Sequence, residues 1–361
     1  MSVLAVIAVI ALLIFVHESG HFLAARLQGI HVNRFSIGFG PILWKYQGPD
    51  TEYALRAIPL GGFVGFPDDD PESEIPPEDP DLLKNRPILD RAIVISAGVV
   101  ANLLFAYVVF VAQFTAVGVP YFTEPGVLIP EVISETSPAA VAGIQANDVI
   151  LKADDQVFGS DYDVVQSFAG LIGDQGDQPL DLTVQRADQV LTVTVTPEIS
   201  PSGKSLIGVQ LNHNGELDYR RANTVFEVLA ISAREFQGML LQTVQGFAML
   251  ITDFSAMSGQ IAGPVGIAEQ GANLVSQNVA TLFPFTAIIS INLAIINILP
   301  LPALDGGQLA FLLIEALRGK PLPDRLQENV MQTGLVLLLG LGVFLIVRDT
   351  SQLEIFQDLL Q

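Results

Sequence analysis

The stretch "VIALLIFVHESGHFLAARL", residues 9–27, constrains the fold more than any other. Residues 3–27 together are long and apolar enough to cross a bilayer as one helix. Yet the second half of that helix carries His17, Glu18 and His21. An ionisable side chain at membrane depth costs roughly 2.5–3.5 kcal/mol even on the mild insertion scale, so it needs a partner. Two histidines four residues apart share one helix face, about one turn from each other. They can bind one zinc ion together, and Glu18 can reach the attacking water as general base. A chance match is the bland alternative. It loses weight because His17 and His21 are two of only four histidines in the chain. The other two, His31 and His213, read as ordinary surface or turn residues.

Long apolar runs recur at residues 92–117, 282–299 and 334–347. The fold class expected is a polytopic α-helical membrane protein with about four transmembrane helices, a membrane-associated β-region and an inserted domain of mixed α/β structure. The first helix has no basic residue before it and no convincing cleavage site after it, so it reads as retained. The expected organisation begins with the first membrane helix (1–28), the β-region (29–66), an acidic, proline-rich and solvated loop (67–91) and the second membrane helix (92–118). The inserted domain (122–213) and an amphipathic, interfacial segment (222–278) follow. The third membrane helix (280–300), a connection carrying Asp305 (301–330) and the fourth membrane helix (331–349) complete it.

Arg34, Lys45, Arg56, Lys84, Arg86 and Arg91 lie in one connection, and Arg318, Lys320 and Arg325 in another. By the positive-inside rule both are cytoplasmic and residues 118–280 lie on the opposite side. A formal charge of −21 argues against nucleic acid as a partner. The absence of cysteine removes disulfides, thiolate ligands and a cysteine nucleophile.

A hydrolytic zinc site needs three protein ligands and one open position. Glu315 lies close to the basic connection, and Asp305 is the better candidate. It stands alone among apolar residues in "INLAIINILPLPALDGGQLAF". Pro300 and Pro302 break the preceding helix, and broken backbone at membrane depth is tolerated only in protein or around a wet cavity. Gly306 and Gly307 allow close approach there. Asn297 adds an amide, either as an interhelical hydrogen bond or as a group that orients substrate or stabilises an oxyanion.

"HESGH" in a first membrane helix, joined to "NILPLPALDGG" before the last, resembles the site-2 protease family of intramembrane zinc metalloproteases (peptidase family M50), in its RseP-like branch with a single PDZ domain. "FSIGFGP", "GPVGIAEQGA" and "NRPILDRAIVISAGVVANLLFA" support it. The family often has Gly-Pro where this chain has Gly98-Val99. The resemblance implies His17, His21 and Asp305 as zinc ligands, with Glu18 as general base and Asn297 as an active-site amide. It implies a substrate strand pairing beside Gly38, Phe39, Gly40, Gly61 and Gly62. "GVLIPEVISETSPAAVAGIQANDVIL" resembles a PDZ domain, with Asn147 where Gly is usual. Ile207, Gly208 and Val209 would then lie on its peptide-binding strand, receiving peptide C-termini; a domain that only filters by size is the other option.

The activity implied is that of a zinc metalloendopeptidase in regulated intramembrane proteolysis. Its substrates would be pre-trimmed single-span membrane proteins such as anti-sigma factors or remnant signal peptides. The expected setting is the bilayer of a bacterial inner membrane, or a thylakoid or plastid membrane, with the PDZ domain on the non-cytoplasmic side. Two other classes compete. A metal-ion transporter could use the same residues, but gains nothing from Glu18 beside a ligand or from a peptide-binding domain. An inactive PDZ scaffold would have no reason to keep Glu18.

Overall fold

The computed structural model describes residues 2–70, 73–200, 203–253 and 262–352. Residues 71–72 of the acidic loop, 201–202 of the inserted domain and 254–261 of the interfacial segment lie outside the described residues. The chain forms two compact units, Met1–Gln113 with Leu229–Gln361, and Phe114–Val228.

The first unit is built on helices. α1 (Ser2–Leu27) and α2 (Ile88–Ala116) are predominantly apolar and touch closely. Gly20 of α1 sits against the Ala97 carbonyl and the Ala101 methyl of α2, a contact that small residues permit. Further helices are α5 (Val225–Thr252), α6 (Pro264–Gln277), α7 (Leu282–Ile298), α8 (Asp305–Arg318) and α9 (Asp324–Gln352). Four segments are long and apolar enough to cross a membrane: Leu4–Leu27, Ile88–Ala116, Val279–Ile298 and Asp324–Ser351. α5 is not among them. α6 packs on α1 and α7, where Val6, Val9, Leu13 and Phe285 are buried with Ile267 and Ala268. At the far end of α9 the buried Asp349 accepts a hydrogen bond from the Gly266 amide at 2.9 Å, in the first turn of α6.

The β-region differs in form from the two or three short strands its turn signals predict. It consists of two 14-residue strands, β1 (Arg34–Gln47) and β2 (Glu52–Gly65), which bend and fold over one another. Residues 34–37 run parallel beside 52–55 and antiparallel beside 62–65, while 42–47 run antiparallel beside 52–56. "PLGG" is therefore a bend within β2, with Gly61 at a φ of 93°. Phe35 of β1 meets Phe15 and Phe22 of α1, with ring centroids 6.0 and 5.3 Å apart, and fixes the sheet to the helix. Beyond β2, the acidic loop is tied back to the exit of α1. The His31 amide donates to the Asp81 carbonyl, and Arg86 binds both Asp81 and the Gln28 carbonyl.

In the second unit β3 (Val119–Phe122) pairs with β12 (Leu217–Arg220), and β9 (Glu198–Ile199) with β10 (Ser205–Leu206). The main sheet is antiparallel, in the order β11 (Asn212–His213), β4 (Val127–Ile129), β5 (Asp148–Ala153), β7 (Leu180–Arg186), β8 (Gln189–Val195). β6 (Gln156–Val157) pairs with β5. The helices are α3 (Pro138–Val141) and α4 (Val164–Asp174). Alternate residues Leu180, Leu182 and Val184 are fully buried against Ile150 and Phe168 of α4, the period-2 pattern of a half-buried strand. Asn147 occupies the left-handed region at a φ of 69°, a conformation asparagine tolerates better than other non-glycine residues.

Candidate metal centre

The helical period of α1 brings His17 and His21 together, their Nε2 atoms 3.2 Å apart. The third member comes from far along the chain. α7 ends at Ile298, the chain breaks across Pro300 and Pro302, and α8 starts at Asp305. Gly306 and Gly307 lie against the carbonyls of Ile298, Leu299 and Leu301, where a side chain would collide with backbone. This tight break directs Asp305 back towards α1. Its Oδ2 lies 3.2 Å from His17 Nε2 and 3.4 Å from His21 Nε2. The three side chains are only 10, 12 and 15% exposed.

These atoms fit a metal better than they fit one another. Ligands at about 2.0–2.1 Å from a tetrahedral zinc stand about 3.3–3.4 Å apart, close to the three distances found. His21 Nδ1 lies 2.8 Å from the Val94 carbonyl, which can only accept, so Nδ1 carries the proton and Nε2 of the neutral ring presents a lone pair. Asp305 Oδ2 is buried and receives no hydrogen bond of suitable geometry. The lone pairs of His21 Nε2 and Asp305 Oδ2 converge with no proton between them, which calls for a cation.

α2 forms the back wall. A side chain at Gly98 would overlap His21 Nε2 and His17 Cε1, so only glycine fits there. Glu18 is the next residue round α1, and it packs against Gly62 of β2. Residues 62–65 pair with 34–37 on one side, and their other edge has no strand partner among the described residues.

The remaining candidates are more dispersed. Gly38 and Gly40 adopt φ values of 86° and 83° at the bend of β1, and Phe39 packs its ring on Gly61. Asn297 is half-buried in the last turn of α7, eight residues before Asp305. Ile207, Gly208 and Val209 belong to the second unit and do not form a continuous strand. Ile207 is in the core, the Gly208 carbonyl accepts from the Ile133 amide, and Val209 makes a single bridge to Val132. A second group of metal-binding types, His31, Asp79 and Asp81, is partly exposed, and Asp81 is paired with Arg86.

The model of peptidase family M50 matches residues 5–341. The chain belongs to peptidase family M50. Relatives of this M50 chain extend over nearly all of it. A Nostoc sp. protein named provisionally as a zinc metalloprotease is 58% identical over 98% of this chain and 97% of its own length. The chloroplast protein of Arabidopsis thaliana named membrane metalloprotease ARASP is 45% identical, covering 99% and 81%. Protease RseP of Yersinia pestis is 30% identical, covering 98% and 99%.

Sequence reasoning assigned no role to three parts of this M50 site. Asn102, fully buried on α2, presents its amide 3.3 Å from His17 Nδ1. The signal was available, since it is an amide in an apolar helix. Gly98 was visible only as a departure from Gly-Pro. The Val94 carbonyl is backbone, and no residue type announces it.

Proposed function

We propose that this chain is a zinc endopeptidase that cleaves peptide bonds within the membrane segments of other proteins. The observation that carries the proposal is the near-tetrahedral spacing of His17 Nε2, His21 Nε2 and Asp305 Oδ2 among helices of membrane-spanning length, with Glu18 beside them. His17, His21 and Asp305 would hold the metal. A zinc ion so held supplies a Lewis acid that acidifies water and polarises a carbonyl. Glu18 takes the proton from the attacking water and passes it to the departing amine. The edge of residues 62–65 that has no strand partner among the described residues offers backbone partners to an unwound substrate segment, whose peptide bonds a helix would otherwise shield. Asn297 orients the substrate or stabilises the developing oxyanion.

The substrates we propose are single-span proteins already trimmed outside the membrane, such as anti-sigma factors and remnant signal peptides. Residues 122–213, within the second unit, act as a PDZ domain on the non-cytoplasmic side, admitting trimmed chains by size or by their C-termini. Kinship with chloroplast and cyanobacterial proteins supports a thylakoid or plasma membrane setting. The test compares wild type and Glu18→Gln in membranes carrying a tagged, pre-trimmed single-span protein. The variant should keep zinc and accumulate uncut substrate; cleavage at the wild-type rate by the zinc-loaded variant would refute the proposal.

A further inference from the structure

Asn102 and His17 pose a hydrogen-bonding problem that the metal reading sharpens. With Nδ2 placed towards His17 Nδ1, 3.3 Å away, the Asn102 Oδ1 is buried without a partner. For His17 Nε2 to act as a ligand the neutral ring must carry its proton on Nδ1, and that proton needs an acceptor. An amide nitrogen is a donor only, so this orientation sets donor against donor. The two ends of an amide have nearly the same shape, and the surrounding hydrogen bonds decide which way it faces.

Resting on the zinc reading of His17, His21 and Asp305, we infer that Asn102 is a positioning residue that turns Oδ1 to accept the His17 Nδ1 proton in the metal-loaded protein. Asn102 thereby fixes the tautomer and the ring orientation of His17, as the Val94 carbonyl does for His21. α2 thus supplies both supports, eight residues apart, one from backbone and one from a side chain. The backbone of Asn102 is itself anchored, since its carbonyl accepts a hydrogen bond from Ser290 Oγ of α7 at 2.8 Å. The opposite orientation, Nδ2 donating to Nδ1, would put the ring proton on Nε2 and block metal binding there.

The two orientations predict different behaviour for one substitution. Asn102→Asp keeps an acceptor of the same shape and removes the donor, so zinc affinity should equal or exceed that of wild type. Asn102→Leu keeps the branched shape with bulkier ends and removes both, and should weaken zinc about 10–100-fold. The measurement is competition for zinc between a chromogenic chelator and the detergent-purified full chain. Asp305→Ala serves as the reference variant. If it binds zinc as tightly as wild type, the metal reading itself is wrong. If Asp305→Ala loses zinc while Asn102→Leu matches wild type, the role of Asn102 alone is overturned. Where Asn102→Leu does not fold, Asn102→Asp decides, and a tenfold weakening in that variant overturns the inference.

Discussion

His21 donates its Nδ1 proton to the carbonyl of Val94, 2.8 Å away, so a backbone group of α2 determines which nitrogen of an α1 histidine faces Asp305. That bond requires α1 and α2 to lie almost in contact, and Gly98 provides the room. Gly98→Ala should therefore force the helices or the imidazoles apart. Overpacking of this kind costs about 1–3 kcal/mol. The expected result is a lower melting temperature and a loss of bound zinc, measured by thermal melting and metal analysis.

Gly62 bears on Glu18 rather than on the cluster of His17, His21 and Asp305. A methyl at this position would overlap the Glu18 side chain and the Ser36 carbonyl. Gly62→Ala should displace Glu18, and a displacement near 1 Å costs on the order of 10²-fold in rate. Zinc content should stay at the wild-type level. The check is turnover against zinc stoichiometry in the same preparation.

Arg91 of α2 and Glu315 of α8 form an ion pair at 2.6 Å, with side chains only 15 and 17% exposed. Removing one partner leaves an uncompensated and largely buried charge, at a cost of up to about 3 kcal/mol. Glu315→Leu should lower stability by roughly this amount. The double variant Arg91→Met, Glu315→Leu should recover most of it. Denaturation of all three variants in mild detergent tests the pair.

Outside the four segments long and apolar enough to cross a membrane, Glu227 is held below the usual carboxylate range by its hydrogen bond from Arg220, helped by the Asn223 amide. A lowered folded-state value contributes stability above the ordinary value of about 4.5, which is lost as pH falls through the folded value. The protection of the Asn223 amide, the slowing of its exchange relative to an unstructured chain at the same pH, should therefore fall as pH drops through the folded value. Glu227→Gln should remove most of this acid dependence, as read by hydrogen exchange.

The parts of the site legible in the sequence are those in which chemistry conflicts with surroundings. Ionisable groups in an apolar run marked His17, Glu18 and His21, and a lone acid after two prolines marked Asp305. What stayed hidden depends on three-dimensional pairing. Turn residues at "QGPD" and "PLGG" suggested several short strands, whereas the long-range register of β1 with β2 carries each strand through a bend. α9 begins at Asp324, before the expected 331, because "DRLQENV" is helical without being apolar. Asn102 was legible as an oddity, but its partner lies 85 residues away, beyond the reach of local pattern.

X-ray absorption at the zinc edge of the purified full chain tests the central claim most directly. The account predicts one zinc per chain, with two imidazole nitrogens and oxygen ligands at about 2.0–2.1 Å, and loss of that spectrum in Asp305→Ala. A chain without zinc, a zinc without imidazole ligands, or an unchanged spectrum in Asp305→Ala would contradict it.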